Sequence, residues 1–297
     1  VRVEMESVPA ELDAMERRLE RLRVEAHSLE DDHDRDPWTT TRGDCAGRHA
    51  RDPSRRGAPR AGRGRRRRPA RARPWARRVS ATPTASAFYE LVARRRDVRA
   101  EFTGEPVDDE TLARVLGAAH RAPSVGMSQP WDFVLVRDRV VLDAFAQHVA
   151  AERSAYAADL PPERRARFDR IKVEGVRESG LGVVVTYDPI RGGPQVLGRR
   201  TVDDTGLFSV VLAVQNLWLA ATAEGLGVGW VSFYREEVLS GLVDLPARVR
   251  PVAWLCVGHV AGLQELPDLE RHGWRARRPL ADVVHHETYD HHRQEHH

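Results

Sequence analysis

From about residue 86 onward the apolar positions recur with two different periods. Phe88, Leu91 and Val92 share one face of a helix expected over Ala87–Arg96. Asp108 precedes a second three-to-four-residue repeat, Leu112, Val115, Leu116 and Ala119, and predicts an N-capped helix running to His120. Short β-rich runs follow at Trp131–Val136, Leu181–Tyr187, Val228–Phe233 and Val252–Val257. Between them, Leu142–Ala158 and Pro162–Glu178 read as helices with one charged side, and Asp203–Glu224 as a long apolar helix stopped by Gly225. Helices and strands mixed in this order predict an α+β domain built on a sheet.

The chain before residue 86 has another pattern. Leu12, Met15, Leu19, Leu22, Ala26 and Leu29 recur at three- and four-residue steps, either a lone amphipathic helix or one that dimerises or binds a partner. Beyond residue 30 the periodicity is lost. Residues 41–80 hold 15 Arg against Asp44 and Asp52, with Pro, Gly and Ala between them. Such a segment buries too little apolar surface to offset its ordering entropy, so disorder is expected. The chain is therefore expected to divide into an extension (1–85), a folded domain (86–290) and a His-rich tail (291–297).

Charge sharpens that division. The net charge of +3 conceals +7 in residues 1–85 and −4 in the remainder, so the pI near 9.2 describes the extension. An Arg-rich run attracts phosphate backbones, but Trp38 and Trp75 offer little base stacking. Nucleic acid is not the expected partner; a linker, or an extension from an upstream start codon, explains the run as well. Cys45 and Cys256 form neither a metal spacing nor a disulfide framework, and a reducing cytoplasm is expected. No uninterrupted apolar run is expected to span a bilayer, and the N-terminal residues are too acidic and polar for a signal peptide. His285, His286, His291, His292, His296 and His297 lack a fixed scaffold, so no metal site is expected there.

Four segments carry candidate chemistry. Arg95-Arg96-Asp97-Val98-Arg99 offers forked donors suited to phosphate oxygens; Asp97 can equally be the ion-pair partner of its neighbours. The loop Ala122–Trp131 contains Ser124, Gly126, Ser128 and Gln129, which combine hydrogen-bonding groups with a permissive backbone. Gln215-Asn216 lies in the apolar helix, followed by Gly225, Gly227, Gly229 and then Ser232. Arg277-Arg278 offers a second phosphate clamp. Trp131, Trp218 and Trp230 read as core residues, Cys256 as inert packing and His120 as a structural hydrogen-bonding group.

In this order and spacing, Arg-Arg-x-x-Arg, the Pro-Ser loop with Gln-Pro-Trp, the long helix before Gly-x-Gly, and Arg278-Pro279-Leu280 resemble the flavin-binding nitroreductase family. Asp97 stands where plain nitroreductases commonly have Ser. With Gly192–Arg199, Ala213–Trp218 and Val228–Ser232, it resembles the family's benzimidazole synthase branch. The likeness spans about two hundred residues and excludes 1–85. It implies a nitroreductase-like fold, a mostly antiparallel sheet flanked by helices. It further implies that reduced FMN is consumed as a substrate with dioxygen, giving 5,6-dimethylbenzimidazole, the lower ligand of vitamin B12, and erythrose 4-phosphate. A separate flavin reductase and a homodimer are the implied partners, and an FMN-dependent NAD(P)H nitroreductase is the alternative. By the same resemblance Asp97 and Ser232 are catalytic. Arg95, Arg96, Val98, Arg99 and Arg278 hold the phosphate and ribityl end; Ser124, Gly126, Ser128 and Gln129 line the ring. Leu197 and Gly198 also bind the cofactor, at the end of a lid drawn from about Arg153 to Gly198.

Overall fold

The computed structural model describes residues 83–289. The heptad-like stretch, the Arg-rich segment, Cys45 and the tail from residue 290 lie outside them. In chain order the elements are α1 Pro83–Arg94, α2 Asp109–His120, a 3-10 turn at Val125–Met127, β1 Trp131–Val136, α3 Arg139–Ala158, α4 Pro162–Phe168 and α5 Val176–Ser179. They continue with β2 Gly182–Tyr187, α6 Thr205–Ala223, β3 Leu226–Val231, α7 Glu236–Leu242, β4 Arg250–His259, α8 Asp268–Arg271 and a last 3-10 turn at Leu280–Asp282.

The strands form one sheet in the order β1-β2-β4-β3, every neighbouring pair antiparallel. Two interior strands, covered on both faces, must be apolar on both. Side chains alternate across a strand, and β2 sends Val183 and Val185 to one face and Val184 to the other. Likewise β4 sends Ala253, Leu255 and Val257 one way and Trp254 and Cys256 the other. The first face packs on α2 and α6, the second on α3, α4, α5 and α7. Trp254 stacks on Phe145 with ring centroids 3.9 Å apart. Gly182 makes room for that indole, since a Cβ there would lie 2.3 Å from it.

The α+β, antiparallel-sheet expectation is met, and several boundaries move. Asp108 caps α2 by accepting the Thr111 N–H at 2.8 Å, as expected, and Asp138 does the same for α3 through Val140. The first helix opens at Pro83 and stops at Arg94, because the following residues leave it to lie along β3. The helix expected over Pro162–Glu178 breaks after Phe168. Ile171 and Val173 are buried there, and Gly175 comes so close to the Arg99 carbonyl and the Phe102 ring that a Cβ would sit 2.6 Å from the former. β3 begins at Leu226, so its glycines lie inside the strand. The broad lid also contracts: residues 182–187 are an interior strand and Phe168, Ile171, Val173 and Val176 are core. Outside the core, the exposed end of α3 with most of α4, and the turn-rich 189–204, remain. Finally, α6 is long and apolar enough to cross a membrane by length and composition, although it contains no unbroken apolar run of that length. Its uncharged Ser, Gln and Asn interrupt a run without adding charge, and the helix packs Val210, Ala213, Val214, Leu217 and Ala221 onto the sheet.

Candidate functional site

After α1, residues 97–98 pair with β3, and residues 101–103 go on to pair with 259–261 at the end of β4. Asp97 bridges Val228 in parallel, and the Val98 amide donates to the Val228 carbonyl at 2.9 Å. Glycine makes the approach possible. A Cβ on Gly229 would lie 2.0 Å from the Val98 carbonyl oxygen, and one on Gly227 would lie 2.4 Å from Val260 and 3.1 Å from Val98. The Gly-x-Gly run thus serves backbone crossing, and Val98 itself is 2% exposed in the core. What Val98 can offer a ligand is therefore backbone only.

That crossing places Asp97. One carboxylate oxygen accepts the Trp230 backbone N–H at 3.0 Å, and the other accepts from Arg99 at 2.5 Å. The side chain keeps 34% of its surface, yet burial raises its pKa above the ordinary carboxylate value, with Arg99, the Trp230 N–H and Arg95 pulling the other way. Ser232 is exposed, the first residue beyond β3 and two past Trp230.

The arginines divide in role. Arg95 lies over the Trp218 ring, 4.8 Å from its centroid. Burial lowers its pKa most, Asp97 opposes this, and Arg96 and Arg277 add to it. Arg277, the first residue of the expected second clamp, therefore stands within electrostatic reach of Arg95; Arg278 is exposed. Arg99 holds Asp97 and leaves its Nε buried with no partner among the described residues. Arg96 is different: it donates to the Ala93 and Arg95 carbonyls at 2.6 and 2.8 Å and to the Glu265 carbonyl. It closes the end of α1 and ties the 261–267 segment to it, with its Nε buried and without a partner among the described residues.

The second cluster precedes β1. Ser124 Oγ accepts the Gln129 N–H at 3.0 Å, while the Val125 N–H donates to Ser209 of α6 at 3.1 Å. Gly126, Met127 and Gln129 all have left-handed backbone, φ of 53°, 53° and 44°. For Met and Gln that is a strained conformation, common where a loop is shaped for a ligand. Ser128 is 7% exposed and its Oγ has no partner among the described residues. A buried hydroxyl left unmatched costs stability until something meets it.

Residues 188–204 lie on this loop. A Cβ on Gly126 would come within 2.8 Å of the Leu197 amide nitrogen and of Val196, and one on Gly198 within 3.3 Å of Val125. Gly126 thus seats the 188–204 segment; Leu197 is 84% exposed beside it. Arg191 anchors the segment to β1, donating to both Asp132 carboxylate oxygens at 2.9 and 2.6 Å and to the Trp131 carbonyl. His120 Nδ1 accepts the Trp131 indole N–H at 3.2 Å, the structural role expected. Buried Cys256 has its thiol pushed up to about 12, consistent with inert packing.

The two clusters do not meet within one chain. They sit at opposite edges of the sheet and near opposite ends of α6, since Ser209 touches one and Trp218 the other. Nine residues of helix between them span about 13 Å. Along that span α6 exposes Val211 and Leu212, continuing a stripe that begins at Phe208 just before it.

Residues 92–259 match the Nitroreductase family. The chain is 44% identical over 189 residues to the 5,6-dimethylbenzimidazole synthase of Rhodospirillum rubrum, covering 62% of this chain and 87% of that one. To the synthase of Rhodobacter capsulatus it is 32% identical over 195 residues, covering 65% and 93%. Among solved structures it superposes on iodotyrosine deiodinase bound to FMN and 3-iodo-L-tyrosine with a TM-score of 0.54 at 23% identity, covering 68% and 100%. A putative NADH dehydrogenase/NAD(P)H nitroreductase of Parabacteroides distasonis gives 0.50 at 25%, covering 68% and 99%. With the antiparallel sheet, the arginine cluster and the Pro-Ser loop in the places described, the chain belongs to the nitroreductase family.

Proposed function

We propose that this chain is a 5,6-dimethylbenzimidazole synthase. Reduced FMN is both its flavin and its substrate; with dioxygen it would supply the ring that leaves as 5,6-dimethylbenzimidazole and the erythrose 4-phosphate left behind. The observation that carries this reading is the built position of Asp97. A carboxyl pinned between a strand amide and a guanidinium, with burial raising its pKa, suits holding or moving a proton. The 44% identity to a synthase that this chain covers to 87% supports it.

Arg95, Arg99 and the Arg277–Arg278 pair are the cations for the phosphate end, with Arg96 holding the backbone that presents them. Ser124, Ser128 and Gln129 are the groups for the ring, and the unmatched Ser128 hydroxyl fits a ring heteroatom. Ser232 follows the strand that holds Asp97 and is assigned a hydrogen bond near the reacting edge. Residues 188–204, carrying Leu197 and Gly198, are assigned the exclusion of water and nicotinamide. Because the two clusters lie about 13 Å apart along α6, we assign the working form as a homodimer. In it, the Ser124–Gln129 loop of one copy would face the arginine cluster of the other across the exposed α6 stripe. A separate reductase would deliver the reduced flavin, in a reducing cytoplasm.

The family's nitroreductases and their structural likeness favour one other reading, an FMN-dependent NAD(P)H nitroreductase. One experiment divides the two. The protein is mixed with chemically reduced FMN in air and the products are identified by mass spectrometry. The synthase reading expects the benzimidazole; reoxidised FMN as the sole product sinks it.

A further inference from the structure

We propose that Trp218 is a positioning residue that sets Asp97 and Arg95 together. Its indole N–H donates to the Arg96 carbonyl at 3.0 Å, and its ring carries the Arg95 guanidinium 4.8 Å from the centroid. The peptide that follows Arg96 is thereby held from three sides. Trp218 holds the carbonyl before Asp97, the Val228 carbonyl holds the amide after it, and the Trp230 amide holds the carboxylate itself. The two indoles also meet, with centroids 6.5 Å apart. At 8% exposure Trp218 looks like ordinary core, and any buried indole N–H needs an acceptor, but here that acceptor is the carbonyl next to Asp97 and the ring face also carries a cation. A neutral hydrogen bond and a cation–π contact are each modest. Their value lies in removing freedom from a loop whose geometry controls two functional groups at once.

This rests on Asp97 being the reactive carboxyl, so one readout is independent of turnover. Amide exchange is measured residue by residue in the full chain, for wild type and Trp218→Phe. A variant in which tryptophan 218 is replaced by benzothienylalanine keeps the double ring and lacks only the N–H, should the phenylalanine variant fold poorly. Exchange is expected to rise at Val98 and Trp230, about five-fold or more, while amides shared between β3 and β4 keep their protection. The flavin affinity of both variants is expected to stay within two-fold, and benzimidazole formation to fall about five-fold in kcat with little change in KM. Trp218→Leu, which removes the cation's platform as well, is expected to weaken FMN binding in addition. Uniform loosening of β3, or unaltered exchange at Val98 and Trp230 in the benzothienyl variant, overturns the positioning role. If the exchange pattern holds while wild type makes no benzimidazole, the synthase reading fails and the positioning of Asp97 stands.

Discussion

The two clusters at the ends of α6 are built in opposite ways. At the β3 edge the carboxylate and the terminal guanidinium nitrogens are answered, and only the Nε atoms of Arg96 and Arg99 are buried without a partner among the described residues. Asp97 is held by Trp230 and Arg99, Arg95 lies on Trp218, and Arg96 is engaged by three carbonyls. At the β1 edge the loop is strained at Met127 and Gln129, and Ser128 is buried with an unmatched hydroxyl. The first cluster is preorganised by its own chain; the second is shaped but incomplete. In a site assembled from both, the rigid edge would supply the chemistry and the phosphate grip, and the unmatched edge would be satisfied by the ligand and a second copy. Backbone strain beside an unmatched hydroxyl is a cost that a bound group can offset.

That contrast can be broken at several points. The largest effect is expected from Asp97→Asn, which keeps the Trp230 bond and removes the titrating proton. Benzimidazole formation should fall at least about 100-fold while FMN affinity changes little, read by mass spectrometry and flavin fluorescence. Loss of binding as well would make Asp97 structural. The same variant tests the sign of its titration. A carboxyl whose folded pKa is raised stabilises the fold only below its unfolded pKa, and this is lost as pH rises through the folded value. Asp97→Asn should therefore raise the melting temperature at neutral pH, and the gain should vanish near pH 4 and below, about the unfolded carboxylate range. A gain that grows on acidification contradicts the raised pKa.

Next comes Gly229→Ala, whose new methyl group would meet the Val98 carbonyl at 2.0 Å. Backbone on both sides leaves nothing flexible to yield, so a destabilisation of about 3 kcal/mol is expected in denaturant melts. A near-neutral result would mean that residues 97–98 do not cross β3 as described. A charge in the exposed α6 stripe, Leu212→Glu, should turn the proposed dimer into a monomer in sedimentation and lower flavin affinity at least about ten-fold. Flavin bound at full affinity by a monomer would place both halves of the site in one chain. The smallest effect separates the two edges most sharply. Ser128→Ala removes an unmatched hydroxyl, so the ligand-free protein should melt at the same temperature or higher. Flavin affinity should still fall about five-fold, the worth of one hydrogen bond. Lower stability without flavin would mean that Ser128 already has a partner.

Much of the architecture was written in local patterns. Asp108 and the repeat after it specify α2, the valine-rich run specifies β2, and Trp131–Val136 is a strand from end to end, because period and capping are local properties. The break after Phe168 was not legible: charged helix-forming residues continue past it, and burial of Ile171 and Val173 with the close seat at Gly175 overrides their propensity. The first residues of β3 were hidden for a related reason. Glycine is a poor strand former, and what selects it at 227 and 229 is a segment more than a hundred positions earlier.

The sequence by itself determined the α+β class, most of the order of elements, the motifs that carry the family likeness and the list of groups able to bind a phosphate and a ring; the antiparallel sheet was what that likeness implied. Residue type and spacing suffice for these. Only the tertiary structure decided that Arg96 grips backbone while Arg95 and Arg99 flank Asp97. It alone showed that Gly126 seats the 188–204 segment, that Trp218 reaches the Arg96 carbonyl, and that the Ser124–Gln129 loop lies at the far edge of the sheet from the arginines. Those outcomes depend on which distant backbone comes within about 3 Å of a given atom, and no local pattern carries that distance.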